Sequence, residues 1–232
     1  MCGLCHERVS ENATLCPKCF SELRFITKPY CKICGRPFEL DVIGEAVCVE
    51  CLKSPPVFKK ARSVMVYDET AKKLILSFKN GDRLDLVPLI TKLMKRITSE
   101  LMDEVDCIIP VPLHRLRLLK RRYNQSAMLA RRLAKENRKE YRPDVLKRIR
   151  HTPSQGHLTA NERHINVRNA FQAVKPERIK GKTILLVDDV LTTGATANEC
   201  AKVLVKAGAK QIFLLTIAST ASLGGEKSTL SM

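Results

Sequence analysis

Three short apolar runs punctuate the chain beyond residue 100: Cys107-Ile108-Ile109, Ile184-Leu185-Leu186-Val187 and Ile212 through Ile217. Runs of this kind, bounded by turn residues, predict strands buried on both faces, as in a parallel sheet. A further strand is expected over 62–67. Between the runs the period changes. Leu86, Leu89, Ile90, Leu93, Met94 and Ile97 fall at i, i+3, i+4 spacing and predict a helix over 86–102. Asp68 is placed to cap a helix over 71–78, which Asn80-Gly81 would close in a left-handed turn. Helices are also expected over 125–136 and from the turn after Asp189 to Lys206, the second ended by Gly208. Strands alternating with helices predict an α/β fold whose sheet is covered on both faces.

The first fifth of the chain lacks long apolar periodicity and is rich in cysteine. Lys53-Ser54-Pro55-Pro56 reads as a linker, because consecutive prolines stop helices and ladders alike. The expected division is therefore a small unit over 1–54, an α/β domain over 58–220 and a flexible tail over 221–232. The small, polar stretch from Ser219 onward is expected to fray. A length of 232 residues suits one such domain with an appendage. No apolar run approaches a membrane span, and the first residues do not read as a signal peptide, so no membrane insertion and a cytoplasmic location are expected.

Eight of the ten cysteines form four CxxC pairs: Cys2/Cys5, Cys16/Cys19, Cys31/Cys34 and Cys48/Cys51. A two-residue gap lets one tight turn aim two thiolates at one ion, and two such turns complete a tetrahedral sulfur site. Two structural zinc ions are expected, paired sequentially along the chain, with interleaved pairing left open. Closed four-sulfur sites of this kind staple a region too small to build its own core, and they leave no position for catalysis. Cys107 and Cys200 lie outside the pattern and read as small core residues.

The formal charge of +17 is concentrated in the middle of the chain. Between Arg115 and Arg150 there are 14 Lys/Arg against 3 Asp/Glu. Such a block faces polyanions, or else forms a solvated helical face between Arg131 and Lys139. On a binding reading such a block would track the backbone of single-stranded DNA, with Tyr123 available to stack a base, although aromatics make up only 5% of the chain. His114 and His157 are candidates for proton transfer and equally for ordinary hydrogen bonding.

The richest segment runs Asp188-Asp189-Val190-Leu191-Thr192-Thr193-Gly194-Ala195-Thr196. Here a buried strand is expected to deliver two carboxylates at its C-terminal end, where open α/β sheets hold ligands. Hydroxyls, a glycine and a helix start follow, which together make a cup for a phosphate dianion. The carboxylates can accept hydrogen bonds from adjacent sugar hydroxyls. A magnesium-binding NTPase strand is the competing reading, but no GxxxxGK[ST] occurs in the chain.

This segment resembles the phosphoribosyl pyrophosphate loop of type I phosphoribosyltransferases. The resemblance implies ribose contacts by Asp188 and Asp189, and phosphate contacts by Thr192, Thr193, Gly194, Ala195 and Thr196. It also implies Mg2+ bound with phosphoribosyl pyrophosphate. By position, Pro110 to Arg115 looks like the pyrophosphate loop of those enzymes and 117–125 like their mobile lid. Arg115, Arg121 and Arg122 would then stabilise a leaving pyrophosphate.

With the CxxC array, Gln155 and Arg163 to Asn166, the chain is similar to the ComF competence family along nearly its whole length. That resemblance implies a double zinc ribbon before a phosphoribosyltransferase-like domain, a role in uptake of transforming DNA, and competence-machinery proteins as partners. One departure is Arg122, where glycine is expected before the aromatic–Asn–Gln triplet. Active phosphoribosyl transfer to an unidentified acceptor is the alternative to a binding role.

Overall fold

The computed structural model describes residues 1–10, 15–42, 44–80, 83–152 and 159–220. Gly81, Gln155, His157 and the tail over 221–232 lie outside the described residues. The cysteine-rich segment carries two short helices, α1 (Pro17–Ser21) and α2 (Val49–Lys53), each beginning directly after a cysteine. After the linker come β1 (Lys60–Val66), α3 (Glu69–Asn80), α4 (Leu86–Met102) and β2 (Cys107–Pro110). Next are α5 (Arg115–Arg121), α6 (Gln125–Glu136), β3 (Glu140–Tyr141) and β4 (Leu146–Arg148). The chain continues through α7 (Ala160–Val167), β5 (Phe171–Ala173), β6 (Thr183–Leu191), α8 (Ala195–Lys206) and β7 (Gln211–Ser219).

Five strands form one parallel sheet in the order β1-β7-β6-β2-β3, while β4 and β5 make a separate antiparallel pair. Residues 184–187 of β6 are wholly buried because both faces of the sheet are covered. Strand alternation sorts them: Leu185 and Val187 join Phe213 and Leu215 under α3, α4 and α6. Ile184 and Leu186 join Ile212 and Leu214 against α8 and the β4–β5 pair. Cys107 and Cys200 are fully buried in this second core, as small core residues should be. The expected helices over 86–102 and 125–136 are present, and the Asp68 carboxylate accepts from Ala71 N–H at 2.9 Å to start α3.

β6 delivers the acidic pair near its C-terminal end, and its ladder continues through Val190↔Ala218 and Leu191↔Ser219, so both aspartates stand within the strand. Two expectations need correction. Ser219 is the last residue of β7, buried and paired, and not part of a frayed tail. The 117–121 part of the expected lid lies within helix α5. Its residues, RLRLLKR, are good helix formers, and Leu116 N–H is capped by His114 Nδ1 at 3.4 Å. Arg122, where glycine is expected, ends this helix in the left-handed region at φ 64°.

The cysteine-rich segment is not a free appendage. Ile26 N–H donates to Val64 O at 3.0 Å and Val66 N–H to Arg24 O at 2.8 Å, which covers the outer edge of β1. A Cβ on Gly35 would sit 2.6 Å from Ala61 O, and its φ is +72°, so only glycine permits this approach. A Cβ on Gly3 would likewise run into the ends of Leu86 and Leu89 on α4.

Candidate functional site

The eight CxxC sulfurs gather into two groups, Cys2, Cys5, Cys16, Cys19 and Cys31, Cys34, Cys48, Cys51, with the ligand atoms of each group within 4.8 Å of one another. The pairing is thus sequential. Sulfur–sulfur separations of 3.5 Å (Cys5–Cys16) and 3.6 Å (Cys34–Cys48) approach the edge of about 3.8 Å that a ZnS4 tetrahedron with 2.3 Å bonds requires. Cys16 N–H points at Cys2 Sγ and Cys48 N–H at Cys31 Sγ, both at 3.3 Å, the backbone support that thiolates need. The hydrogen bond with Cys34 holds the Cys31 thiol down to about 4 and pushes Cys34 the other way. Donor set and spacing both fit structural zinc.

A cleft of about 390 Å³ opens at the C-terminal ends of the parallel strands, where this sheet architecture leaves backbone groups and helix N-termini exposed. Asp188 and Asp189 line its floor, and the pleat sends them to opposite faces of β6. Asp188 Oδ1 accepts from Ser126 Oγ at 3.1 Å and from Asp189 N–H at 2.9 Å. Lys79 Nζ lies 2.9 Å from Asp189 Oδ2. Burial, then the neighbouring Asp189 charge, push Asp188 up to about 7; the Asp189 N–H, Lys79 and Ser126 oppose them.

Past Leu191 the chain turns sharply. Gly194, at φ 75°, begins α8, and Thr193 Oγ1 accepts from Ala195 N–H at 3.4 Å. Thr192, Gly194, Ala195 and Thr196 face the cleft at the point where the twelve-residue helix α8 begins. Strand, turn and helix N-terminus therefore present acceptors and donors within one nine-residue stretch.

Guanidinium groups form another part of the wall: Arg117, Arg121, Arg148 and Arg163. Arg148 stacks over the Phe171 ring at 5.3 Å and donates to Thr152 Oγ1, leaving its buried Nε without a partner. Arg117 donates to Thr152 O at 2.7 Å. Burial and the adjacent guanidinium lower the pKa of each, Arg121 acting on Arg117 and Arg117 on Arg148. Among the described residues no carboxylate forms an ion pair with Arg117, Arg121 or Arg148. That arrangement suits an anionic ligand.

Of the arginines singled out by sequence, Arg121 lines the cleft, while Arg115 and Arg122 are exposed and outside its wall. His114 is a buried helix cap packed edge-on against His151 at 5.2 Å. Tyr123 is no stacking platform: its hydroxyl donates to Phe78 O at 2.8 Å and its ring packs against Phe78. Sequence reasoning passed over Lys79 and Ser126, which reach the acidic pair from separate helices without any local spacing signal. Arg148 entered only as one of the basic residues counted between Arg115 and Arg150.

A family model described as "Double zinc ribbon domain" matches residues 1–52, and one described as "Phosphoribosyl transferase domain" matches residues 123–230. Competence protein F of Haemophilus influenzae is 34% identical over 204 residues, covering 85% of this chain and 87% of that protein. The DNA utilization protein YhgH of Salmonella typhimurium is 29% identical, covering 91% and 87%. Competence protein ComFC of Bacillus subtilis is 27% identical, covering 90% of each.

Proposed function

The chain belongs to the ComF competence family, and from that premise we propose that its cleft binds phosphoribosyl pyrophosphate or a related ribose 5-phosphate ligand in the service of DNA uptake. The observation that carries this reading is the convergence, within one cleft, of two carboxylates and a helix N-terminus that follow one another along the chain. Asp188 and Asp189 accept hydrogen bonds from the ribose hydroxyls. The backbone N–H groups and hydroxyls of Thr192, Thr193, Gly194, Ala195 and Thr196 hold the 5′-phosphate.

The diphosphate end falls to Arg121 together with Arg117 and Arg148, whose forks suit phosphate oxygens. Arg115 and Arg122, proposed for the same task, stand outside the wall and could join only if α5 moved on binding. The cleft provides acceptors for the sugar and cations for the phosphates, which leaves Mg2+ to the ligand's own oxygens. Bound there, it would neutralise charge and fix the geometry of the diphosphate.

The basic block supports single-stranded DNA as a second partner. Arg131, Arg132, Arg138, Lys147 and Arg150 are exposed, and such contacts would be sequence-tolerant and salt-sensitive. The named relatives' roles in competence and DNA utilization support the same setting.

A second reading, active phosphoribosyl transfer, is favoured by the guanidinium cluster, which offers charge to a departing pyrophosphate. An acceptor's lone pair would form the new bond to the anomeric carbon as the carbon–oxygen bond to pyrophosphate breaks. A pyrophosphate-release screen across acceptors separates turnover from binding.

Equilibrium dialysis against ribose 5-phosphate and unphosphorylated ribose tests the binding proposal. Retention of the phosphate ester alone is the expected result. Failure to retain it overturns the proposal.

A further inference from the structure

Lys79 sits one residue before the end of α3, and its ammonium reaches Asp189 across a junction in which both side chains are only about one-fifth exposed (21% and 19%). The end of that helix is clamped. Gln125 Nε2 donates to Lys79 O at 3.0 Å, and the Tyr123 hydroxyl donates to Phe78 O. These carbonyls belong to the last turn, which has no partners inside the helix. Gln125 is buried, and the very next residue, Ser126, donates to Asp188. Residues 123–126 thus set both partners of the acidic pair: a hydroxyl on one carboxylate directly, and an ammonium on the other through α3.

We infer that Lys79 is a positioning and charge-balancing residue of the cleft, keeping Asp188 and Asp189 as hydrogen-bond acceptors for the hydroxyls of a sugar phosphate. The inference rests on the ribose 5-phosphate reading. Two adjacent, desolvated carboxylates favour sharing a proton, and a protonated carboxyl donates where a hydroxyl needs an acceptor. The groups that face Asp188 are Asp189 on its own strand, Lys79 from α3, Ser126 from α6, Arg148 from β4 and Cys200 from α8. Of the two cations in that set, Lys79 is the one in contact with the pair. Burial has already raised Asp188, and Lys79 opposes the rise, so its loss moves Asp188 protonation to higher pH. Ligand affinity, which needs the ionised pair, is then lost over a higher pH window.

The test is calorimetric affinity for ribose 5-phosphate at pH 7 and pH 9 in wild type, Lys79→Met, Lys79→Arg and Tyr123→Phe, with circular-dichroism melts of each. Removing an adjacent opposite charge moves a carboxylate by about one pKa unit or more, so Lys79→Met should bind about tenfold more weakly at pH 7. It should regain most of that loss by pH 9, and Lys79→Arg should track wild type at both values. Tyr123→Phe, which loosens the clamp and keeps the lysine, should show a smaller loss with the same pH relief. The ligand's own titration is common to all four proteins and drops out of the comparison. Equal binding by Lys79→Met and wild type at pH 7, or a loss that neither pH 9 nor arginine relieves, overturns the inference alone. Should Lys79→Met not fold, unchanged binding by Tyr123→Phe overturns it. A wild type that binds at neither pH overturns the ribose 5-phosphate reading and the inference with it, and that outcome involves no variant.

Discussion

Asp188 illustrates how a residue proposed to bind ligand can work against the fold that holds it. Its folded pKa, about 7, stands above the usual 3.8, so between those values the native state holds the proton more tightly than the unfolded chain does. Stability contributed by the protonated form is therefore complete at low pH and is lost as pH rises towards 7. Asp188→Asn removes that loss. It should raise Tm at pH 8 by about 3 °C, and the gain should vanish near pH 4, as thermal melts at the two pH values would show.

At the opposite chemistry, Arg148 has a buried Nε without a partner and should matter most for ligands with a second phosphorylated end. Arg148→Met should weaken phosphoribosyl pyrophosphate about tenfold more than it weakens ribose 5-phosphate, read from paired titrations. The sequence exposes the Asp188–Thr196 half of the site because its chemistry is contiguous. Lys79, Ser126 and Arg148 are brought in by three other elements, and only tertiary packing identifies them.

At the scale of elements, visibility follows length. The helix over 86–102 carries nearly five turns of apolar period, and the structure reproduces its limits. β3, with two residues, and β4 and β5, with three each, are too short to show any period and were not anticipated. The 115–121 helix was hidden for another reason: its basic residues read as a ligand-facing lid, while Leu116 and Leu119 are exposed and mark no core face. The left-handed φ of Arg122 shows why glycine is expected at that position, since glycine would occupy this turn without strain. Asn124 joins two elements, since its Oδ1 accepts from Ser126 N–H at the start of α6 and its Nδ2 donates to Val111 O in the loop lining the cleft. Asn124→Ala should cost about 1–2 kcal/mol in urea unfolding, and it should weaken ligand binding as well, because Ser126 and Val111 both border the site.

At the scale of the molecule, the zinc ribbons and the sheet share structure. Residues 24–26 extend the sheet beyond β1, and Gly3 and Gly35 press backbone against α4 and β1. Chelation of zinc should therefore lower the melting temperature of the α/β domain too, by about 10 °C for a loss on the order of 3 kcal/mol. Separate ribbon and domain transitions in the same melt would argue for the simpler division at the proline linker. The four CxxC pairs made the ribbons plain in the sequence; nothing in their spacing shows what they pack on. None of the helices among the described residues is long and apolar enough to cross a membrane.

The proposed function depends on one cradle, and calorimetric titration of phosphoribosyl pyrophosphate with magnesium reaches it most directly. Wild-type protein should bind with one site per chain, and the double variant Asp188→Asn, Asp189→Asn, folded by its melt, should lose at least about a hundredfold in affinity. A wild type that gives no binding heat and fails to retain the ligand in dialysis, or a double variant that binds as tightly as wild type, would contradict it.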